Sequence, residues 1–319
     1  MDVTALGELL IDFTPAGRTP EGGVLLERNP GGAPANVAAA VAKLGRQASF
    51  LGKVGDDEFG RFLKETLEQQ AVDTAGLIVT DEYPTTLAFV HLNDEGDRSF
   101  SFYRKHSADQ MLRFEEIELR RLAQTAVFHF GSVSMTSNPA AEATIRAAEY
   151  AKEHGALISY DPNLRPPLWR SLDEARAAII QALRLADLVK ISEEEVEFLT
   201  GTSDMEEGSR RIAEEYGTQV ICVTLGPEGC LVRRGEQIIA VPGFTVKAID
   251  TTGAGDSFMG SMLYQILESG LRVNELTGEQ LGEFARFANA AGALTTLKRG
   301  GITALPELPE VLALLQGSR

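Results

Sequence analysis

Asp250-Thr251-Thr252-Gly253-Ala254-Gly255-Asp256-Ser257-Phe258 concentrates the chemistry of this 319-residue chain. Small residues at 253–255 leave main-chain N–H groups open to an anion. An apolar helical pattern follows directly, so a helix N-terminus adds partial positive charge at the same place. Asp256 sets a carboxylate beside that anion hole, where it can accept a proton from a hydroxyl. An anion hole with an adjacent base is what phosphoryl transfer to an alcohol needs. Such a base needs no strongly raised pKa, because the hydroxyl loses its proton only as bonding to phosphorus develops.

Other polar residues stand at the ends of apolar runs. Gly31 and Gly32, in Pro30-Gly31-Gly32-Ala33-Pro34-Ala35-Asn36, permit close backbone approach to a ligand, and Asn36 offers both a donor and an acceptor to a polyhydroxylated sugar. Asp12 follows Leu9-Leu10-Ile11; it reads as a hydroxyl grip or as a loop carboxylate. Asp161-Pro162-Asn163-Leu164-Arg165 follows a strand end, where open α/β sheets place ligands. There Asn163 can orient phosphates or a hydrated metal, and Arg165 can hold an anion or make a surface ion pair. Lys190-Ile191-Ser192-Glu193-Glu194-Glu195 leads from a strand into a helix. Its acids suit a helix dipole, and Glu195 also suits hydrated Mg²⁺ near nucleotide phosphates. Thr224-Leu225-Gly226-Pro227-Glu228-Gly229 reads as a nucleotide-contacting turn or a plain hairpin.

Several chemistries are excluded. No Gly-x-x-x-x-Gly-Lys-Ser/Thr occurs, and the Gly253–Gly255 pair has Phe258 where a dinucleotide fingerprint needs a third glycine. That argues against a nicotinamide dehydrogenase. His91, His106, His129 and His154 make no zinc spacing, and His129 in Val-Phe-His-Phe-Gly reads as a packed strand residue. Cys222 and Cys230 sit in apolar contexts as reduced core thiols. A net charge of −16 disfavours nucleic-acid and anionic-membrane surfaces. No leader or membrane-length apolar run is present, so a cytoplasmic protein is expected.

The elements that must position these residues alternate. Strand-like runs are Val3–Leu6, Ser49–Val54, Ala126–Gly131, Leu157–Asp161, Leu188–Ile191 and Val220–Leu225. Helical patterns cover Ala35–Leu44, Glu58–Gln69, Ala140–Glu153, Leu172–Leu183 and Glu206–Tyr216, then Gly255–Ser269, Gly278–Leu297 and Pro306–Leu315. This predicts parallel βαβ units with helices on both faces. Leu9–Phe13 with Val24–Arg28, and Thr85–Asn93 with Arg98–Tyr103, interrupt the pattern as strand pairs, the second around Asn93–Asp97. They read as a small β-lid over a site or as an edge hairpin.

Taken together, these residues resemble the ribokinase-like (PfkB) sugar kinases, most closely the bacterial and plant fructokinases. The likeness is near full length. It runs through Gly7–Phe13, Pro30–Ala38, Gly52–Gly60, Ser159–Trp169 and Lys190–Glu195 to Asp250–Phe258. It implies one kinase domain over 1–319, a doubly wound, mainly parallel, three-layer α/β/α core with lid segments near 10–30 and 84–105, and dimerisation through that lid. It implies ATP-dependent phosphorylation of fructose, with 2-keto-3-deoxygluconate as the alternative. Kinases for that acid set arginines against its carboxylate, and Phe102, Arg104 and Arg165 keep it open, while Pro34 and Asp161–Trp169 favour fructose. By the resemblance Asp256 is the base, and Gly253, Ala254 and Gly255 form the anion hole. Asp12, Gly31, Gly32, Asn36 and Asn163 belong to the sugar side. Lys190, Ser192, Glu195, Thr224, Gly226, Gly229 and Asn289 belong to the nucleotide side. Ser192 replaces the family's asparagine, and Glu195 is linked to Mg²⁺ through water. Asp250, Thr252, Thr295, Lys298, Gly300 and Ala304 fall at the positions that hold a monovalent cation, K⁺, in many relatives. A catalytically silent sugar-binding regulator on the same fold would not need the intact Asp256 and anion hole.

Overall fold

Near-continuous apolar strands flanked by amphipathic helices bury both faces of one sheet, and the chain follows that logic. The computed structural model describes residues 1–92 and 98–317; the turn expected at Asn93–Asp97 lies outside the described residues. In chain order the elements are β1 (Val3–Leu6), β2 (Leu10–Arg18), β3 (Val24–Gly31), α1 (Ala33–Lys43), β4 (Ala48–Gly55), α2 (Glu58–Gln69), β5 (Val72–Asp73), β6 (Leu77–Thr80), β7 (Leu87–Leu92) and β8 (Arg98–Tyr103). Then come α3 (Leu119–Ala123), β9 (Val127–Gly131), α4 (Ala140–Glu153), β10 (Leu157–Asp161), α5 (Leu172–Leu183), β11 (Leu188–Ser192), α6 (Glu193–Thr200), α7 (Met205–Tyr216) and β12 (Val220–Thr224). The chain closes with β13 (Gly229–Arg234), β14 (Gln237–Pro242), α8 (Ala254–Ser269), α9 (Gly278–Thr295) and α10 (Leu308–Gly317).

The described residues form a ten-stranded sheet of order β14-β13-β12-β11-β10-β9-β1-β4-β5, with β6 also on β4. From β12 through β4 every pairing is parallel, and β13 and β14 add an antiparallel edge. Alternate residues feed the two faces. Val127 joins the apolar layer under α1, α8 and α9, whereas Phe128 and Phe130 join the layer under α4, α5 and α7. His129 is buried, with Nδ1 2.8 Å from Ser159 Oγ, and burial lowers its pKa to about 4. Cys222 and Cys230 are buried and unpaired. Among the described residues no helix is long and apolar enough to cross a membrane.

The chain leaves β1 for β4 on one side and reaches β9 on the other, so the strand order switches direction at β1. Ligands bind at such switch points, beyond the C-terminal strand ends. A second sheet, β3-β2-β7-β8, stands over that end. Its middle pairing, β2 with β7, is parallel, which joins the two chain segments into one plate. Phe13 links the plate to the body, stacking on Phe89 at 5.0 Å and meeting Phe59 edge-on at 5.9 Å. Val24, Leu25, Leu26 and Tyr103 are exposed on the plate.

Candidate active site

Gly253 begins the site. It takes φ +78°, in the left-handed region that a glycine enters without strain, and turns the chain into α8. Among the described residues the N–H groups of Gly253 and Gly255 have no acceptor within the protein, while Ala254 N–H lies 3.3 Å from Thr251 O. The anion hole of the sequence reading therefore keeps two unspent donors at a helix N-terminus. In the first turn of α8, Asp256 is 8 % exposed. Its Oδ2 accepts a 2.6 Å hydrogen bond from Asn36 Nδ2. Burial raises its pKa to about 6, and Asp161 adds to that. Asn36, Lys190 and Arg165 pull the other way. The chemistry needs no strongly raised pKa, so the rise reflects where the carboxylate lies: Asp256 is buried although residues 252–255 before it are only half-buried.

A cavity of about 660 Å³ opens between the strand ends and the lid. Asp256, Gly253 and Gly255 line it together with Asp12, Gly32, Asn36, Phe102, Asn163 and Arg165. Asp12 comes from β2, and Gly31 packs so closely on it that a Cβ there would sit 2.1 Å from Asp12 Oδ2. Asp12 is half-buried in the cavity wall, and burial raises its pKa to about 7 against the pull of Arg165. Lys190, 7 % exposed, lies across from the anion hole: a Cβ on Gly255 would stand 2.9 Å from its Nζ. Lys190 Nζ donates to Asp161 Oδ2 at 2.9 Å. Burial alone would lower the Lys190 pKa, but Asp161, Glu195 and Asp256 outweigh it and raise it.

Arg104 is where the structure departs most from the sequence reading. It does not face the cavity. Its guanidinium is buried and spent, with Nε on Asp109 Oδ2 (2.7 Å), Nη1 on Thr136 Oγ1 (2.7 Å) and Nη2 on Val133 O (2.9 Å). A side chain leaving a lid strand toward the body is as able to clamp the joint as to meet a ligand, and sequence alone does not separate the two.

Of the residues that the resemblance sets beside the nucleotide, Ser192 and Glu195 form a capping box at the start of α6. Glu195 Oε2 accepts Ser192 N–H (2.9 Å) and Oε1 accepts Leu164 N–H (2.6 Å). Burial raises the Glu195 pKa, with Lys190 opposing. The helix-dipole reading of these acids is thus realised, and Glu195 also ties the Asp161–Arg165 loop to α6. Thr224 Oγ1 donates to Ile191 O (3.4 Å), and Asn289 Nδ2 donates to Val241 O (3.1 Å) and Pro242 O (3.2 Å). Gly229 pairs with Pro242, and Gly226 lies in the turn before it. These residues frame one end of the sheet rather than the cavity. Asp250 binds two loops together, its Oδ1 accepting Thr252 N–H (2.9 Å) and its Oδ2 accepting Gly300 N–H (3.1 Å). Thr295 Oγ1 is turned to Ala291 O, Lys298 Nζ reaches Glu310, and Ala304 N–H meets Gly301 O.

Sequence reasoning missed two acids. Asp161 was read only as part of its loop, yet it is the partner of Lys190 and a neighbour of Asp256. Glu8 lines the cavity, almost wholly buried. A glutamate inside Ala-Leu-Gly-Glu-Leu-Leu was the available signal, since an acid in an apolar run needs a partner.

Residues 2–308 match the family model described as pfkB family carbohydrate kinase. The chain belongs to this family. Among the curated kinases, Fructokinase-1 of Zea mays is 45% identical over 316 residues, covering 98% of this chain and 97% of its own. Among solved structures, fructokinase from Xylella fastidiosa with bound ATP superposes with TM-score 0.92 at 35% identity, covering 99% of this chain and 98% of the other. A fructokinase double mutant from Vibrio cholerae O395, in a form with fructose, ADP and potassium ion bound, gives TM-score 0.88 at 37% identity, with 98% of each chain covered. As a PfkB carbohydrate kinase, this chain has a ribokinase-like core, and the cavity under the lid lies at the switch point of that core.

Proposed function

We propose that this carbohydrate kinase transfers the γ-phosphoryl group of ATP to the primary hydroxyl of D-fructose, giving fructose 6-phosphate and ADP. The observation that carries the reading is the pairing, in one cavity, of the buried Asp256 carboxylate with the unspent N–H groups of Gly253 and Gly255. Asp256 takes the hydroxyl proton as the oxygen attacks phosphorus. The 253–255 amides stabilise the charge that grows on the transferred group. Asp12, Asn36 and Asn163 surround the remaining hydroxyls, and Arg165 and Lys190 supply the positive charge. The full-length likeness to fructokinases supports fructose over other sugars. The commitment of Arg104 removes one of the two arginines that favoured 2-keto-3-deoxygluconate.

A coupled ADP-release assay on both sugars tests this directly. Robust turnover of fructose is expected, with little or none of the keto-acid; the reverse order would overturn the substrate. The pH dependence follows from Asp256. A base with its pKa near 6 is charged above that pH and protonated below it. So kcat/KM for fructose should fall about tenfold per pH unit once the pH drops below about 6. A flat profile down to pH 5 would remove Asp256 from the role.

Mg²⁺ fits the donor set. It keeps several waters, takes most of its inner ligands from phosphates, and asks the protein for one carboxylate at a water's distance. Glu195, with each oxygen already holding one amide, would serve in that way, and the ion would screen the triphosphate charge. A monovalent cation would sit beside Asp250, whose carboxylate brings the 250–252 loop against Gly300. Replacing K⁺ by tetramethylammonium at constant ionic strength should lower kcat several-fold. Unchanged turnover would leave Asp250 as a loop staple alone.

A further inference from the structure

Glu8 lies in the connection from β1 to β2 and is 4 % exposed. A carboxylate is costly to bury without partners, and this one has only half of them. Oε1 accepts the Ala33 N–H at 2.9 Å, while Oε2 is buried with no partner. Burial raises its pKa to about 7, against the amides it accepts and the charge of Arg104.

The bond to Ala33 has a structural reason. Helix α1 cannot cap itself, because its N-cap residue, Gly32, has no side chain. The first-turn donors of a helix need acceptors from elsewhere when the cap supplies none. Glu8 reaches in from a separate segment to provide one. The two segments are also in main-chain contact: Gly32 has φ +118°, and a Cβ on it would stand 2.2 Å from Glu8 O. One turn along, Asn36 N–H bonds Gly32 O at 2.9 Å, and Asn36 Nδ2 meets Asp256 Oδ2. Further down, α1 is held against α8 at Gly260, where a Cβ would be 2.6 Å from that of Ala40. The body of α1 is therefore fixed by α8, and its first turn by Glu8.

We propose that Glu8 is a positioning residue for the phosphoryl transfer: by holding the first turn of α1 it keeps Asn36 against Asp256 and so fixes the direction of that carboxylate. This rests on Asp256 being the base.

The test is steady-state kinetics with fructose at saturating ATP. Glu8→Ala should lower kcat about tenfold with KM for fructose within about twofold, the pattern of a lost transition-state interaction. Glu8→Gln keeps an acceptor for the Ala33 N–H and should restore kcat to within about threefold of the parent. Asn36→Ala should lower kcat at least as much as Glu8→Ala and also raise KM for fructose, since Asn36 faces the sugar hydroxyls; kcat of the double variant should be no lower than that of Asn36→Ala alone, because Glu8 acts on kcat through that one contact. Should Glu8→Ala fail to fold by circular dichroism, Glu8→Asp takes its place. It keeps the charge but withdraws it by one methylene, and the same kcat loss is expected.

A raised KM at unchanged kcat would make Glu8 a sugar contact and overturn the proposal. So would losses that multiply in the double variant, or a Glu8→Asp enzyme of parental kcat. Normal turnover by Asp256→Asn is a separate failure, since it removes the base and not the link through α1.

Discussion

Asp256→Asn is expected to cut kcat by ~10²–10⁴, the range a general base supplies, and to leave a folded protein that still binds sugar and nucleotide. Asparagine has the same shape and keeps an oxygen to accept from Asn36 Nδ2. What it lacks is the ability to take the hydroxyl proton. The same substitution should also raise stability. Asp256 has a folded pKa of about 6 against an ordinary 3.8. The folded state therefore binds the proton more tightly than the unfolded state. Stability falls as pH rises from about 4 to 6 and stays reduced above that. At neutral pH the ionised carboxylate costs at most about 3 kcal/mol, which the neutral amide does not incur. Urea denaturation beside the kinetics reads both effects. A variant as fast as the parent, or one that is less stable at pH 7.5, contradicts the assignment.

Lys190→Met is expected to destabilise the protein by ~3–5 kcal/mol, the cost of leaving one partner of a buried ion pair uncompensated. Asp161 is nearly inaccessible, and its Oδ2 depends on Lys190 Nζ; Oδ1 has the weaker support of Asn163 N–H at 3.2 Å. Turnover should also fall, because the ammonium faces Gly255 across the anion hole. Adding Asp161→Asn separates the two effects. With both charges gone, most of the stability should return, since the amide still accepts from Asn163. The rate should not return, because the Lys190 ammonium is missing from beside the transferred phosphoryl and Arg165 alone is left. Denaturation midpoints of the three variants decide the first half, and kcat of the double variant decides the second. A Lys190→Met loss below about 1 kcal/mol would mean the pair behaves as a surface pair. Recovered turnover in the double variant would make Lys190 a structural residue only.

The fold was legible wherever periodicity was long and uninterrupted. Helix α4 and strand β10 begin and end where Ala140–Glu153 and Leu157–Asp161 predict. Strands β5 and β6 were not seen, because two to four residues on a sheet edge carry too little alternation to register. The parallel pairing of β2 with β7 was equally hidden: hairpin logic reads neighbours in sequence, and this pairing joins residues 76 apart, Ile11 with Leu87. In the site, the glycine-rich turn and Asp256 could be read because spacing alone fixes a helix N-terminus. The fates of Arg104 and Glu8 could not. Each depends on which of several polar groups it meets after the chain closes, on Asp109 and Thr136 for the one and Ala33 for the other.

Strand β1 is made first and lies inside the sheet, between β4 and β9, with Val3 beside Ala48 on one edge and Val127 on the other. At ~5–20 residues per second of synthesis, roughly 6–25 s separate the emergence of Val3 from that of Val127. Throughout that interval an apolar ribbon with an open hydrogen-bonding edge waits outside the ribosome. A fragment that stops short of β9 keeps the same sticky seam permanently, so premature termination within the first third of the message yields a product prone to aggregation.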